Sequence, residues 1–289
     1  MNPEKSIDQI FEVLLSDPEA HRPGTGPYSA LKSELQQCVR VLFGSPDRHS
    51  RRFWKFGSIS FPFTEMGRIN SLDLFGLDEC ILFAFYFQNK NRYKNAVDIG
   101  ANLGLHSLLM SRCGLSVRSF EPDPVHFSIL QANISENQGN SIKAFQAAVS
   151  TTQGRAGFVR VLNNTTGSHL AGTKSSYGNR QEFEVETVAI RPLYETAELL
   201  KMDAEGHERD LLLSLEPFPT ALPDILVEVG TAENAEAIFL DLQRKEIKMF
   251  SQKTGWQQVK KMNDMPFSHR DGSLFITSRD GPDWGQNHI

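Results

Sequence analysis

At 289 residues, with 39% apolar and 22% charged side chains, the chain can bury a sizeable core as one large domain with an appendage or as two small ones. A formal net charge of -5 argues against broad attraction to a polyanion, so nucleic acid is not an expected partner. The three cysteines, Cys38, Cys80 and Cys113, lie far apart without a CxxC pair, which excludes a disulfide scaffold or a Cys-based zinc site and fits a reducing compartment.

No basic-then-apolar leader opens the chain, and the strongest apolar run, 81–87, is about a third of a bilayer span. A cytoplasmic protein with no membrane partner is expected, and 81–87 reads as buried helix.

The first 94 residues read as a helical N-terminal cap, and 95–289 as a ligand-binding α/β domain. A short amphipathic stretch, 7–15, precedes a Pro- and Gly-rich loop at 21–27. Residues 29–43 predict a second helix, with Leu31, Leu35, Cys38, Val39 and Leu42 along one stripe. Residues 53–63 alternate as a strand or hairpin does. Residues 74–87 predict a third helix whose aromatics belong to the core or to an acceptor pocket. Arg48, Arg51, Arg52 and Lys55 form a basic cluster that reads as a solvated turn.

From residue 95 short β-like runs alternate with helical ones: strands at 95–100, 116–121 and 142–149, helices at 104–112 and 124–137. The rhythm resumes with strands at 199–203 and 224–229, helices at 208–215 and 233–245, and β runs at 247–251 and 273–277. The interruption, 154–192, holds alternating segments that read as an inserted hairpin. Parallel crossovers place the helix-preceding strand ends on one edge, where ligands of such sheets bind.

The segment Val97-Asp98-Ile99-Gly100-Ala101-Asn102-Leu103-Gly104 ends an apolar strand in a carboxylate and opens a helix through two glycines four apart. Glycine permits positive φ and close backbone approach, so a ligand can lie on the turn. A dinucleotide site requires G-x-G-x-x-G. Here the third glycine is missing, and Asp98 would repel a pyrophosphate but suits a ligand bearing an ammonium and a sulfonium. S-adenosylmethionine is therefore expected rather than NAD. Glu121 ends the next strand, where an acidic side chain accepts hydrogen bonds from both hydroxyls of a ribose. Asp123, before Pro124, is assigned to the helix cap.

With these motifs the chain resembles the FkbM family of S-adenosylmethionine-dependent methyltransferases. The resemblance rests on VDIGANLGLHSLL from Val97, FEPDP from Phe120, LLKMDAEGHE from Leu199 and ILVEV from Ile225. The K-x-D-x-E-G-x-E block is its most specific part. The resemblance implies a Rossmann-like α/β fold of the class I methyltransferases, with a seven-stranded, mostly parallel sheet and one antiparallel strand. It also implies O-methylation of a hydroxyl on a sugar or secondary metabolite. It places Asp98, Gly100, Asn102, Gly104 and Glu121 along the cofactor, joined by Ala101, Pro122, Ala148 and Asp203. Where relatives often carry T-L-D before the fourth strand, this chain has Val188-Ala189-Ile190-Arg191, so no acceptor contact is assigned there.

At the fourth strand Asp203 and Glu205 project around the reaction edge, and Gly206 lets the chain turn into a helix. Glu208 and Arg209 read as solvated charges in its first turn, where Glu208 suits the dipole. Candidates for a general base are Glu205, His106 on the helix after the glycine turn, and His169 in the polar loop of the insertion. Asp203, Glu205, His207 and Glu228 offer hard metal ligands, but no compact His motif accompanies them and no metal is expected. Two rivals stand beside the methyltransferase reading. One is an NAD(P)-linked oxidoreductase. The other is a catalytically silent methyltransferase-fold interaction module.

Overall fold

A computed structural model describes residues 2–173, 178–215 and 222–284. Helix α1 (Pro3–Ser16) starts where Asn2 accepts hydrogen bonds from the Glu4 and Lys5 N–H groups, with Pro3 at the first helical position. Ile7, Ile10, Phe11 and Leu14 form its buried stripe. Helix α2 (Gly26–Phe43) is capped by Thr25 and buries Leu35, Cys38, Val39 and Leu42. Helix α3 (Leu77–Gln88) is buried almost all round, as its apolar run requires.

The aromatics of this region are core. Phe11 stacks on Trp54 with ring centroids 4.3 Å apart, and Phe43 stacks on Phe75 at 4.5 Å. Each such ring contributes about 2 kcal/mol through burial. The expected strand or hairpin at 53–63 is reduced to a two-residue antiparallel pairing of Arg51–Arg52 with Ser58–Ile59. Phe53 and Trp54 have turned inward, which spoils a longer ladder. The basic cluster is paired off at the surface: Arg48 with Glu136, Arg51 with Asp47, Arg52 with Asp8 and Lys55 with Glu12.

The α/β part runs β1 (Asn95–Ile99), α4 (Leu105–Arg112), β2 (Ser116–Phe120), α5 (Pro124–Glu136) and β3 (Ile142–Phe145). The insertion follows as β4 (Ala148–Ser150), β5 (Gly154–Val161), β6 (His169–Leu170) and β7 (Arg180–Ala189). After α6 (Ile190–Tyr194) come β8 (Leu199–Met202), α7 (Glu208–Leu213), β9 (Asp224–Glu228) and α8 (Ala232–Arg244). The chain then adds β10 (Lys248–Ser251), β11 (Gln257–Gln258) and β12 (Ser273–Thr277).

The main sheet has eight strands in the order β11-β10-β12-β9-β8-β1-β2-β3. It is Rossmann-like, parallel from β9 to β3, with β12 antiparallel between β9 and β10. The strand beyond the expected seven is the two-residue edge strand β11, antiparallel to β10. The insertion is more than a hairpin. It forms a separate four-stranded sheet, β4-β7-β5-β6, whose long antiparallel pair β5–β7 carries parallel β4 on one side and β6 on the other.

One face of the main sheet packs on the N-terminal helices, sharing a core with Leu103, Leu108, Val117 and Phe275. The other face packs on α7 and α8 through Val97, Leu200, Leu211, Ile238 and Leu242. The chain passes from β1 to β2 on one side and returns through β8 and β9 on the other. The switch in strand order therefore falls between β1 and β8, where open α/β sheets bind their ligands.

Candidate functional site

Register fixes what stands at that edge. Ile99 is level with Met202 and with Phe120, Met202 with Val227, and Glu228 with Ser273. The next residue on each parallel strand extends the row: Glu121, Gly100, Asp203 and Glu228, closed by Ser273 at the start of the antiparallel β12. Adjacent strands lie about 4.8 Å apart, so the row spans about 19 Å.

Over the β1, β2 and β8 ends lies a cavity of about 600 Å³, lined among others by Gly100, Asn102, Glu121, Pro122, Ala148 and Asp203. Each of these six was an expected cofactor contact. Gly100 has φ +73°, and a Cβ there would sit 1.9 Å from the Asp203 carbonyl oxygen. Only glycine lets the turn and the β8 end come this close.

Glu121 is buried, 6% exposed. One carboxylate oxygen accepts the Asn102 N–H at 2.8 Å, the other the Asp123 N–H at 2.9 Å. Burial pushes its carboxyl up to about 8, against the pull of those two N–H bonds. The Oδ1 of Asn102, whose backbone is left-handed at φ 52°, is buried without a hydrogen-bond partner among the described residues. A buried orphan acceptor beside a buried carboxylate, under the apolar wall of Ile99, Phe120, Val149 and Phe158, fits a nucleoside with hydroxyl and amino donors. Asp123 caps α5 as expected, accepting from Val125 N–H at 2.8 Å.

Four expected residues stand elsewhere. Asp98 has no exposure and lies beneath the cavity floor: one oxygen accepts the Ser107 hydroxyl at 2.6 Å and the other faces Lys201 Nζ at 3.9 Å. Ala101 is 5% exposed, and its N–H is spent on the Phe120 carbonyl. Gly104, at φ +90°, makes room for Leu130, whose Cδ1 would be 2.3 Å from an added Cβ. His106 is held on both ring nitrogens, Nδ1 by the Tyr86 hydroxyl at 2.9 Å and Nε2 by Glu79 at 2.8 Å. It bridges α3 and α4, with no nitrogen left for an acceptor's proton. His169, 1% exposed, lines the cavity with Nδ1 near the Gly167 carbonyl.

Asp203 and Glu205 both line the cavity. The loop that carries them is organised by Glu208, whose oxygens accept the Ala204 N–H at 2.9 Å and the Gly206 N–H at 3.0 Å. Glu208 is 2% exposed, so it is not the solvated first-turn charge that its place in the helix suggested. This clamp holds Glu205 in a left-handed conformation, φ 51°. Lys201 is buried too, with Nζ 3.5 Å from Asp203 and 3.4 Å from the Gly100 carbonyl. Burial disfavours its ammonium, but Asp203, Asp98, Glu79 and Glu228 overrule it and raise the pKa.

The insertion roofs this cavity with Phe158, Thr165, Thr166, Ser168 and Leu170. Its tip is tied down on two sides. Thr165 N–H reaches the Met66 carbonyl at 3.1 Å, and Arg68 N–H the Asn163 carbonyl at 2.8 Å. His126 Nε2 on α5 meets the Thr165 hydroxyl at 2.8 Å. Nothing in the sequence marks this pairing, because 66–68 and 163–165 share no pattern.

Among the described residues no group of three or more His, Cys, Asp or Glu side chains is arranged to hold a metal ion, and no helix is long and apolar enough to cross a membrane.

Comparison with known proteins adds a family. Residues 98–253, more than half of the chain, match the model described as the Methyltransferase FkbM domain. A sequence comparison with curated proteins gave no match. Among solved structures, the chain is similar to the N-terminal domain of human METTL16 in complex with SAH, at 13% identity, TM-score 0.42, covering 92% of this chain and 84% of that one. It is also similar to an O-methyltransferase from Bacillus cereus in complex with SAH, at 13% identity, TM-score 0.40 and 68% and 80% coverage. A precorrin-6y C5,15-methyltransferase from Geobacter metallireducens follows at 9% identity, TM-score 0.36 and 66% and 82% coverage.

Proposed function

The chain belongs to the FkbM methyltransferase domain family, and from that premise we propose that it methylates a hydroxyl of a small molecule, a sugar or secondary metabolite. Its cofactor is S-adenosylmethionine. The observation that carries the site assignment is the pairing of buried Glu121 with the unpartnered Asn102 Oδ1 over the Gly100 turn.

When bound, the cofactor supplies a methyl carbon activated by the adjoining sulfonium. In this reading Glu121 accepts the two ribose hydroxyls and Asn102 Oδ1 accepts an N–H of the ligand. Ile99, Phe120 and Phe158 cover the apolar faces of the nucleoside. The protein's main work is alignment of the reacting atoms in a dry pocket, worth several kcal/mol or about 7 and more where geometry is ideal. The roof made by the insertion keeps water out. Glu205, fixed by the Glu208 clamp at the edge, takes the proton of the acceptor hydroxyl, a smaller contribution of about a hundredfold.

Calorimetry with S-adenosylhomocysteine and with NADH, followed by an acceptor screen with labelled methyl donor, tests the proposal. Expected are binding of the first ligand alone and label on the oxygen of a hydroxylated compound. Binding of NADH alone, or label transferred only to nitrogen or carbon acceptors, refutes it.

A further inference from the structure

The edge row does not end at Asp203. Beyond it Glu228 and Ser273 enter a second cavity of about 950 Å³, open to solvent, between α2 and α3 on one side and the β9 and β12 ends on the other. Ser273 is only 8% exposed, yet its hydroxyl has no hydrogen-bond partner among the described residues. The Glu228 carboxylate beside it likewise makes no hydrogen bond or close ion pair there. Two adjoining polar groups, one of them on a residue more than nine-tenths buried, thus line a cavity with no partner among the described residues and are free to bind what enters it. Burial, then the carboxylates of Asp203, Glu79 and Glu205, push the Glu228 carboxyl well above the usual range against the pull of Lys201. Asp203 lines the first cavity and Glu228, at the neighbouring position one strand over, lines the second, so the two adjoin across β8 and β9.

The lining gives the chemistry. Asp73, Asp78 and Glu79, the last shared with His106, stand against the ammonium of Lys32, with Glu228 a further carboxyl and His269 the other basic side chain. Such a wall repels phosphate and carboxylate ligands and rewards hydrogen-bond donors and ammonium groups. Phe75 and Leu77 supply an apolar patch against which the C–H face of a ring can lie.

We propose that this second cavity holds the methyl acceptor, a polyhydroxyl ring compound that is uncharged or bears an ammonium, with one hydroxyl on Glu228 and Ser273 facing Asp203. The assignment rests on the methyl-transfer reading above and names the class of its acceptor. It also gives the N-terminal helices a role, since α2 and α3 form half of the acceptor wall.

The test uses the full chain saturated with S-adenosylhomocysteine and three probes: glucosamine, glucose and glucuronate. Saturation-transfer NMR reports sugar binding, and calorimetry reports the affinity for S-adenosylhomocysteine in the same samples. Glucosamine and glucose give signals with the unaltered protein, and glucuronate gives none. Ser273→Phe, which crowds the place assigned to the ring beside Glu228, abolishes the signals, and Glu228→Ala weakens them by about two- to tenfold, the loss of a hydrogen bond. Both variants keep their S-adenosylhomocysteine affinity, which shows that they are folded. The proposal is overturned if neither neutral nor amino sugar binds, if both variants bind glucosamine as before, or if glucuronate binds as well as glucosamine. Failure of the unaltered protein to bind S-adenosylhomocysteine overturns the methyl-transfer reading itself. Binding of that ligand with no sugar overturns the acceptor cavity alone.

Discussion

Glu121→Gln removes the carboxylate on which the cofactor assignment rests. The amide keeps one acceptor oxygen but turns an NH₂ toward the Asn102 or the Asp123 N–H, replacing one of the bonds at 2.8 and 2.9 Å by two facing donors. A buried donor left unpaired costs about 1–3 kcal/mol, and a lost ribose bond to a charged acceptor about 1.5–3 kcal/mol, equivalent to tenfold or more in affinity. A second signature comes from protonation. Burial has raised the free protein's Glu121 to about 8, whereas the unfolded value is about 4.5, so in the absence of ligand this group's contribution to stability is present at acid pH and is lost as pH rises through 8. Ribose hydroxyls bind the ionised form. Its population rises from about one in a hundred at pH 6 to about three in four at pH 8.5, so affinity rises by up to about seventyfold over that interval. Calorimetry with S-adenosylhomocysteine at several pH values, on both proteins, is the assay. The reasoning is refuted if the unaltered protein shows a flat affinity from pH 6 to 8.5, or if the variant keeps the same slope.

Glu208→Ala should destabilise the protein by about 1–3 kcal/mol in urea unfolding, because the Ala204 and Gly206 N–H groups both lose their acceptor. A midpoint unchanged from the parent protein contradicts the clamp. Glu205→Ala should lower kcat by about a hundredfold while leaving S-adenosylhomocysteine affinity within about twofold, a split read from steady-state kinetics and calorimetry together. Loss of binding instead of turnover would make Glu205 a cofactor residue. His21, fully buried, donates Nε2–H to the Leu14 carbonyl at 2.7 Å and accepts the Trp256 indole N–H on Nδ1 at 2.9 Å. Burial lowers its pKa from 6.5 to about 4, so its contribution, about 3 kcal/mol, is complete above pH 6.5 and is lost as pH falls toward 4. Thermal melts of the parent and of His21→Asn should differ most above pH 6.5 and converge near pH 4; parallel curves would remove His21 from the acid response.

The parts of the site readable in the sequence are those fixed by local backbone chemistry. The two glycines do adopt positive φ, Asp123 does cap the helix that starts at Pro124, and Glu121 does follow the end of β2 into a cavity. Residue type alone does not say which way a strand-end side chain faces. Asp98 and Ile99 alternate across β1, and it is Ile99 that lines the cavity while Asp98 goes under it to Ser107. His106 sits one residue past the start of α4, but its fate is decided by α3, whose Tyr86 and Glu79 take both nitrogens. The insertion looked like a hairpin because β4 and β6, at three and two residues, are too short to show a period. Glu208 reads as an ordinary first-turn acid until the Gly206 bend brings the preceding N–H groups back onto it. The edge row from Glu121 to Ser273 is a property of register, which no single strand encodes.

Lys201 explains how so acidic an edge remains workable. Asp98, Asp203, Glu79 and Glu228 all bear on its buried ammonium, which stays charged because their summed attraction exceeds the penalty of burial. Without that cation the carboxylates would repel one another and take up protons, leaving fewer ionised groups for the ligands. A methyl transfer also extinguishes the positive charge on sulfur, so an edge of unopposed carboxylates would hold the sulfonium more tightly than the departing product and raise the barrier. With Lys201 set between β1 and β8, the carboxylates on either side are partly neutralised from below. The K-x-D spacing follows from the strand itself: residues two apart share a face, so the cation at 201 lies on the same side of β8 as the carboxylate at 203, with Nζ and Oδ2 3.5 Å apart.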